Sequence, residues 1–423
     1  MPDTPIIARY RIETCLPLEQ VADTIAGEQS SGTFLPLPGE TEELKARSRA
    51  KVLNIALLDT TDAPALPGGR APKSAAKYQR AEITLSFPFA NVGPNLPTLL
   101  ATVCGNLYEL SDHTGCKLLD LELPPAFGRK YPGPQFGIAG TRQLAGVFDR
   151  PILGTIIKPS VGLSPGQSAE LVRTLAAAGI DFIKDDELMA DPPHSPLQER
   201  VGAAMRVINE LADKTGKKVM YAVNITDDLD AMLRHHDTVR AAGGTCVMVS
   251  LHSIGLPALV ELRKRCALPI HGHRNGWGMY CRHPLLGVEY PAWQKLWRLA
   301  GVDHLHVNGL QNKFWEPDDS VVRSIKACST PMFRAGDTVM PVISSGQWGG
   351  QAPETYRLTG TTDLMYVAGG GILAHPMGPA AGLRALQQAW EAAVQGVDLN
   401  EHAKTRPELR ETIAKFSKFR EMK

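Results

Sequence analysis

The spacing of apolar residues changes character near residue 145. Before that point several short runs are strand-like, some of them alternating apolar and polar side chains: IIARYRIE (6–13), KVLNIALLD (51–59), AEITLSFPF (81–89) and KLLDLELP (117–124). A period of two predicts strands with one buried face. LEQVADTIAGEQS (18–30) and LPTLLATVCG (96–105) space their apolar residues three and four apart, which predicts helices. The order strand, helix, strand, strand, helix, strand predicts a small α+β sandwich over residues 1–145. The Pro/Gly-rich passage LPPAFGRKYPGPQFG (123–137) then reads as a linker or boundary.

Residues 146–423 alternate regularly. Strand candidates are ILGTIIK (152–158), DFIKDD (181–186), VMYAVNI (219–225), CVMVSL (246–251), LPIHGH (268–273), DHLHVN (303–308), MPVISS (340–345) and LMYVAGG (364–370). Amphipathic runs such as ERVGAAMRVINELADKTG lie between them, and AAGLRALQQAWEAAVQG follows the last. Eight βα units are the closure number of a (β/α)₈ TIM barrel. A doubly wound open sheet would carry a glycine-rich fingerprint after its first strand, and GTIIKPS is not one.

Composition narrows the class. A net charge of +1 gives no electrostatic case for nucleic acid or a membrane surface. The seven cysteines contain no CxxC pair, which suits a reducing cytoplasm and not a cysteine-held zinc. The first residues lack the basic and apolar regions of a signal peptide, and no apolar run is long enough to span a bilayer. A cytoplasmic enzyme is the expectation.

In such a barrel the chemistry lies at the C-terminal ends of the strands. Those ends offer Lys158; Lys184, Asp186 and Glu187; Asn224; His271, His273 and Arg274; His304, His306 and Asn308; Ser344, Ser345 and Gly346; and Gly369, Gly370 and Gly371. Taken singly, each has a plain structural explanation: a packed histidine, a glycine turn, a solvated charged loop. Together they put lysines, acids, histidine pairs and glycine-rich turns around one mouth. Asp186 and Glu187 are hard oxygen ligands suited to Mg²⁺. Lys184 either balances these acids as a salt bridge or adds CO₂ as a neutral amine, becoming a carbamate that supplies further ligand oxygens. Glycine-rich turns after the seventh and eighth strands match the usual barrel phosphate site. Arg274 with a histidine could hold a second anionic end. The residues alone point to a Mg²⁺-assisted enzyme acting on a phosphorylated polyol, keto sugar or sugar acid.

GTIIKPSVGLS (154–164), DFIKDDE (181–187), HGHR (271–274), DHLHVNG (303–309), PVISSG (341–346) and GGGILAHPMG (369–378) resemble the large subunit of ribulose-bisphosphate carboxylase, as do EQSSGTF (28–34) and the GN at 105–106. The resemblance implies a ferredoxin-like N-terminal domain before the barrel, and a homodimer with its active site at the subunit interface. It implies that Lys184 is carbamylated by CO₂ and binds Mg²⁺ with Asp186 and Glu187. Lys158 and His273 take catalytic roles. Arg274 and His306 bind one phosphate, while Ser344, Gly346, Gly369 and Gly370 surround the other end of the substrate. Glu28, Thr33 and Asn106 reach over from the partner subunit.

The departures from that family concern gas fixation. Ser160 stands where carboxylases carry a second lysine, Phe34 replaces a tryptophan, and Ser345 replaces a glycine. Lys313 keeps the loop lysine's place in NGLQNKFWE, which lacks the glycine hinge, and no C-terminal extension is expected to latch that loop. The chain therefore resembles the RuBisCO-like proteins, not the carboxylases. KPSVGLS and ELMADPPHSPLQERV resemble the subgroup that decarboxylates 3-oxo-isoapionate 4-phosphate in apiose breakdown. The other expectations are an enolase or isomerase of a methylthio-pentulose phosphate in methionine salvage, and a non-catalytic scaffold or regulator.

Overall fold

The computed structural model describes residues 4–32, 37–71 and 77–421. The chain divides into two compact units. One comprises residues 1–132 with 276–300, and the other residues 133–275 with 301–423.

In the first unit, strands β1 (Ile6–Thr14), β2 (Lys51–Thr61), β3 (Tyr78–Phe87) and β4 (Gly115–Glu122) fall on the strand-like runs. Helices Leu18–Glu28 and Leu96–Val103 fall where the wider spacing predicts them. The sheet order is β4-β1-β3-β2 with every neighbouring pair antiparallel, the ferredoxin-like arrangement. On β1 the alternation is literal: Ile6, Ala8, Tyr10 and Ile12 are fully buried. Helix Leu18–Glu28 buries Val21, Ala22 and Ile25.

The second unit is a closed parallel barrel of β5 (Ile152–Ile156), β6 (Phe182–Lys184), β7 (Met220–Asn224), β8 (Cys246–Ser250) and β9 (Ile270–His273), completed by three later strands. β10 (Leu286–Val288) interrupts the series. It pairs parallel to β4 and extends the first unit's sheet to five strands. The barrel then resumes with β11 (His304–His306), β12 (Met340–Ile343) and β13 (Met365–Val367), and β13 closes on β5. All eight barrel strands fall inside the expected runs. They are short and buried on both faces, so they read as apolar blocks with polar residues at their C-terminal ends.

The division of the chain differs from a single boundary at 145/146 for a physical reason. Helix Gly137–Ala145 belongs with the barrel. The Asp303 carboxylate accepts the backbone N–H groups of Phe136 and Gly137 at 2.6 and 3.2 Å, and Thr141 meets His304 Nε2 at 3.0 Å. Ala145 and Val147 pack into a core shared with Phe182, Met220, Met248, Met340 and Met365. Beyond the last barrel helix, Pro379–Gln395, the chain does continue: helices Leu399–Ala403 and Pro407–Glu421 fold back. Phe416 stacks on Trp348 at 5.5 Å, and Leu409 N–H donates to Gln388. These helices support the segment after β12 from behind.

Asp181, at the start of β6, locks the β5–β6 seam. It is buried and paired with Arg150 and Lys217, and it accepts the Leu153 N–H at 2.8 Å. Burial alone would raise its pKa, but the two cations outweigh burial and lower it. A carboxylate with a depressed folded-state pKa stabilises the fold above its unfolded value of about 3.9, and that contribution disappears as pH falls through the folded value. Acid unfolding below about pH 4 should therefore draw on Asp181, and Asp181→Asn should flatten the loss of stability in that window. An unchanged acid-denaturation profile in this variant would contradict that role.

Candidate active site

Period two sorts the side chains at the strand ends. Phe182 and Lys184 on β6, His271 and His273 on β9, and His304 and His306 on β11 lie two apart and share the barrel interior. The rings interlock: Phe182 stacks on His271 at 5.2 Å, His271 meets His306 at 4.8 Å, and His273 meets His306 at 4.4 Å between centroids. His271 Nε2 lies 2.8 Å from His306 Nε2, and His306 Nδ1 lies 3.0 Å from Ser344 Oγ. Burial holds both imidazoles well below their ordinary pKa.

Lys184 is almost wholly buried. Its Nζ donates to the Asp185 carbonyl at 2.8 Å and to Glu187 Oε2 at 3.3 Å. Burial lowers its pKa against the opposing pull of Glu187 and Asp186. His273 Nε2 lies 3.5 Å from the same Glu187 oxygen. Burial first, then the Lys184 charge, push His273 down to about 4. Burial raises Glu187, yet His273 and Lys184 outweigh it and bring the carboxyl to about 2. Lys158 Nζ donates to Asp186 Oδ2 at 2.6 Å and to Ser160 Oγ at 2.7 Å. The departure at Ser160 thus puts a neutral acceptor beside Lys158, where a second lysine would repel it.

Asp185 does something different from its neighbours. It sits on the opposite side of the strand and is buried. Its carboxylate accepts from Tyr221 Oη at 2.5 Å, the Asn224 N–H at 3.1 Å and Arg200 at 3.3 Å. Arg200 also donates to the carbonyls of Met189, Ala190 and Ser195. Asn224 Nδ2 in turn holds the carbonyls of Asp186 and Glu187 at 3.1 and 3.2 Å. This network fixes the backbone that presents the two outward acids.

Among the described residues, no three His, Cys, Asp or Glu side chains gather as a metal-ligand set. Asp186 and Glu187 supply two carboxylates, each already facing a lysine ammonium. This donor set fits Mg²⁺ only if a third oxygen ligand comes from elsewhere. Lys184 stands at that place.

At the other side of the mouth, Arg274 Nη2 donates to Glu316 Oε2 at 2.6 Å. Asn308 Nδ2 donates to the same oxygen at 2.6 Å, and Ser345 Oγ donates to Asn308 Oδ1 at 2.7 Å. Asn308 and Ser345 both have left-handed backbone, with φ of 65° and 75°. Such backbone is costly outside glycine, and the bond between the two side chains offsets part of the cost. Lys313 is exposed; its N–H donates to the Ser345 carbonyl at 3.2 Å and its ammonium lies over the Phe314 ring. Gly346 has φ 80°. Gly369 and Gly370 follow β13 at the start of the short helix Gly370–Leu373, where a Cβ at Gly370 would meet nothing within 4 Å.

The barrel unit thus brings together Lys158, Lys184, Asp186, Glu187 and His273 on one side of the mouth. Arg274, His306, Lys313, Ser344 and Gly346 lie across β9, β11 and β12. Glu28 and Asn106 belong to the first unit, where both are exposed. The Gln29 side chain lies against Gly105 there, so the two positions sit near one another. Thr33 and Phe34 lie outside the described residues. Sequence reasoning missed Glu316, whose only signal is an acid in a loop, and the supporting roles of Asp185, Tyr221 and Arg200.

Family models agree with this architecture over most of the chain. The ribulose bisphosphate carboxylase large chain catalytic domain matches residues 137–416, and the N-terminal domain of that large chain matches residues 1–127. The chain belongs to the ribulose bisphosphate carboxylase large-chain family. Within this family it is 52% identical to the 3-oxo-isoapionate-4-phosphate decarboxylase of Rhizobium etli, over 97% of this chain and 99% of that protein. It is 54% identical to the 3-oxo-isoapionate-4-phosphate transcarboxylase/hydrolase of Xanthobacter autotrophicus, over 96% of this chain and 98% of that protein. The crystal structure of a rubisco-like protein from Burkholderia fungorum superposes with a TM-score of 0.91 at 48% identity, covering 98% of this chain and all of the other. These relatives place the chain among the RuBisCO-like members of the family. No helix among its described residues is long and apolar enough to cross a membrane.

Proposed function

We propose that this chain is a Mg²⁺-dependent decarboxylase of 3-oxo-isoapionate 4-phosphate, releasing CO₂ and an erythrulose phosphate. The observation that carries the reading is the full-length likeness to the R. etli decarboxylase, together with Lys158, Lys184, Asp186, Glu187 and His273 gathered at one mouth.

Asp186, Glu187 and a carbamate on Lys184 would hold Mg²⁺. The ion would supply positive charge for the negative charge that a departing carboxyl group leaves on the substrate. The chain's own groups do the rest. Burial lowers the pKa of Lys184, which favours the neutral amine that CO₂ addition requires, while Glu187 and Asp186 pull the other way. Lys158 is partly exposed at the mouth and poised between Ser160 and Asp186, so it is the group to return a proton to carbon. His273, neutral at pH 7 in its buried setting, orients Glu187. The glycine turns after β12 and β13, with Ser344, leave room for the phosphate. Glu28, Asn106 and Thr33 would complete the site from the partner subunit of a homodimer. A charged sugar phosphate and seven free cysteines suit the cytoplasm.

The test is turnover of 3-oxo-isoapionate 4-phosphate with Mg²⁺ and bicarbonate, against a methylthio-pentulose phosphate under the same conditions. The decarboxylase reading expects CO₂ from the first and no proton exchange in the second. Exchange in the second alone would establish the enolase or isomerase. Inertness toward both, with no Mg²⁺ binding, would leave a scaffold.

A further inference from the structure

We propose that Glu316 is a specificity-determining residue: by neutralising Arg274 it restricts the site to substrates carrying a single phosphate. This rests on the sugar-phosphate reading above and adds to it a reason for the number of phosphates.

Each cationic side chain at the strand ends already faces a carboxylate: Lys158 faces Asp186, Lys184 faces Glu187, and Arg274 faces Glu316. On the reading above, the first two carboxylates would hold the metal. The third serves no metal and lies across the mouth from them, on the loop that follows β11. A dianionic phosphate needs an uncompensated cation or several free donors. Arg274 is the guanidinium that would otherwise hold a second phosphate.

Glu316 is also built in, not incidentally near. Its side chain is 2% exposed and that of Arg274 is 6%. Oε2 accepts from both Arg274 and Asn308, and Oε1 accepts from Ser320 Oγ at 2.9 Å. Asn308 is held in its left-handed turn by Ser345. The chain Arg274–Glu316–Asn308–Ser345 therefore ties the ends of β9, β11 and β12 together. A phosphate brought to Arg274 would sit beside the Glu316 carboxylate, and like charges that close in a shielded site repel strongly. A substrate with one phosphate avoids this contact, and the substrate in the relatives' names carries one.

Calorimetry on the full chain, with and without Mg²⁺, tests the idea independently of turnover. The probes are ribulose 5-phosphate and ribulose 1,5-bisphosphate. The unaltered protein should bind the bisphosphate no more tightly than the monophosphate. Glu316→Gln keeps an oxygen acceptor for Asn308 but removes the charge, and should shift the affinity ratio at least tenfold toward the bisphosphate. The double variant Arg274→Gln with Glu316→Gln should return the ratio to that of the unaltered protein, which separates charge from folding. A wild-type preference for the bisphosphate overturns the proposal. So does a ratio in Glu316→Gln that moves less than tenfold. Binding of neither sugar phosphate would instead overturn the sugar-phosphate reading on which the proposal stands.

Discussion

Lys184→Met is expected to lower decarboxylation by about a thousandfold or more, equivalent to about 4 kcal/mol of transition-state stabilisation. Methionine fills nearly the same volume as lysine, so the buried interior around His271 and His306 keeps its packing. What it removes is the amine. Without that amine no carbamate can form, and only Asp186 and Glu187 remain as metal oxygens. The same variant should lose a second, separate signal. With ¹³C-bicarbonate and Mg²⁺, the unaltered protein should show a carbamate resonance that Lys184→Met lacks. A variant that keeps its activity, or keeps the resonance, would show that Lys184 is only a salt-bridge partner of Glu187. That alternative is real on geometry alone, since the ammonium does reach Glu187 at 3.3 Å.

Asp185→Ala is expected to act on the fold. Asp185 and Arg200 are each 1% exposed, and the carboxylate also satisfies Tyr221 Oη and the Asn224 N–H. Burial, then the Asp185 charge, hold the Tyr221 hydroxyl well above its ordinary pKa, which keeps it a donor. Removing the carboxylate leaves a guanidinium buried without its counter-charge and two donors unmet. Breaking a buried pair in this way costs about 3–5 kcal/mol. Chemical denaturation should therefore show a loss of that size. A loss under about 1 kcal/mol would mean that the network is not what fixes the 185–187 backbone. The two predictions separate neighbouring residues: Lys184 should cost turnover with little stability, and Asp185 stability first.

That separation was partly legible in FIKDDE. A strand alternates its faces, so the residue directly after Lys184, at the end of β6, turns away from it. The eight barrel strands were legible because parallel strands buried on both faces keep uninterrupted apolar runs. β10 was not, because three residues, LGV, are too short to carry a period. Nor could sequence show that residues 276–300 join the first unit, since that depends on a strand pairing 170 positions away, Leu286 with Cys116. Glu316 escaped for a similar reason. It lies in a loop 42 residues from Arg274, and nothing local distinguishes it from a solvated acid. The barrel fold itself assigned the glycine turns to a phosphate, while the resemblance to the carboxylases supplied the roles of His273 and His306. Composition and periodicity could place the two histidines at a mouth but could not assign them work.

The central claim is that the chain removes a carboxyl group from a phosphorylated 3-oxo sugar acid and reprotonates the carbon left behind. The most direct measurement supplies the purified chain with Mg²⁺, bicarbonate and 3-oxo-isoapionate 4-phosphate in D₂O, and follows the carbon and deuterium by NMR. The account predicts free CO₂ together with an erythrulose phosphate bearing one deuterium at the carbon that lost the carboxyl group. A substrate that persists unchanged, or a carboxyl group that reappears on another molecule without passing through free CO₂, would contradict it.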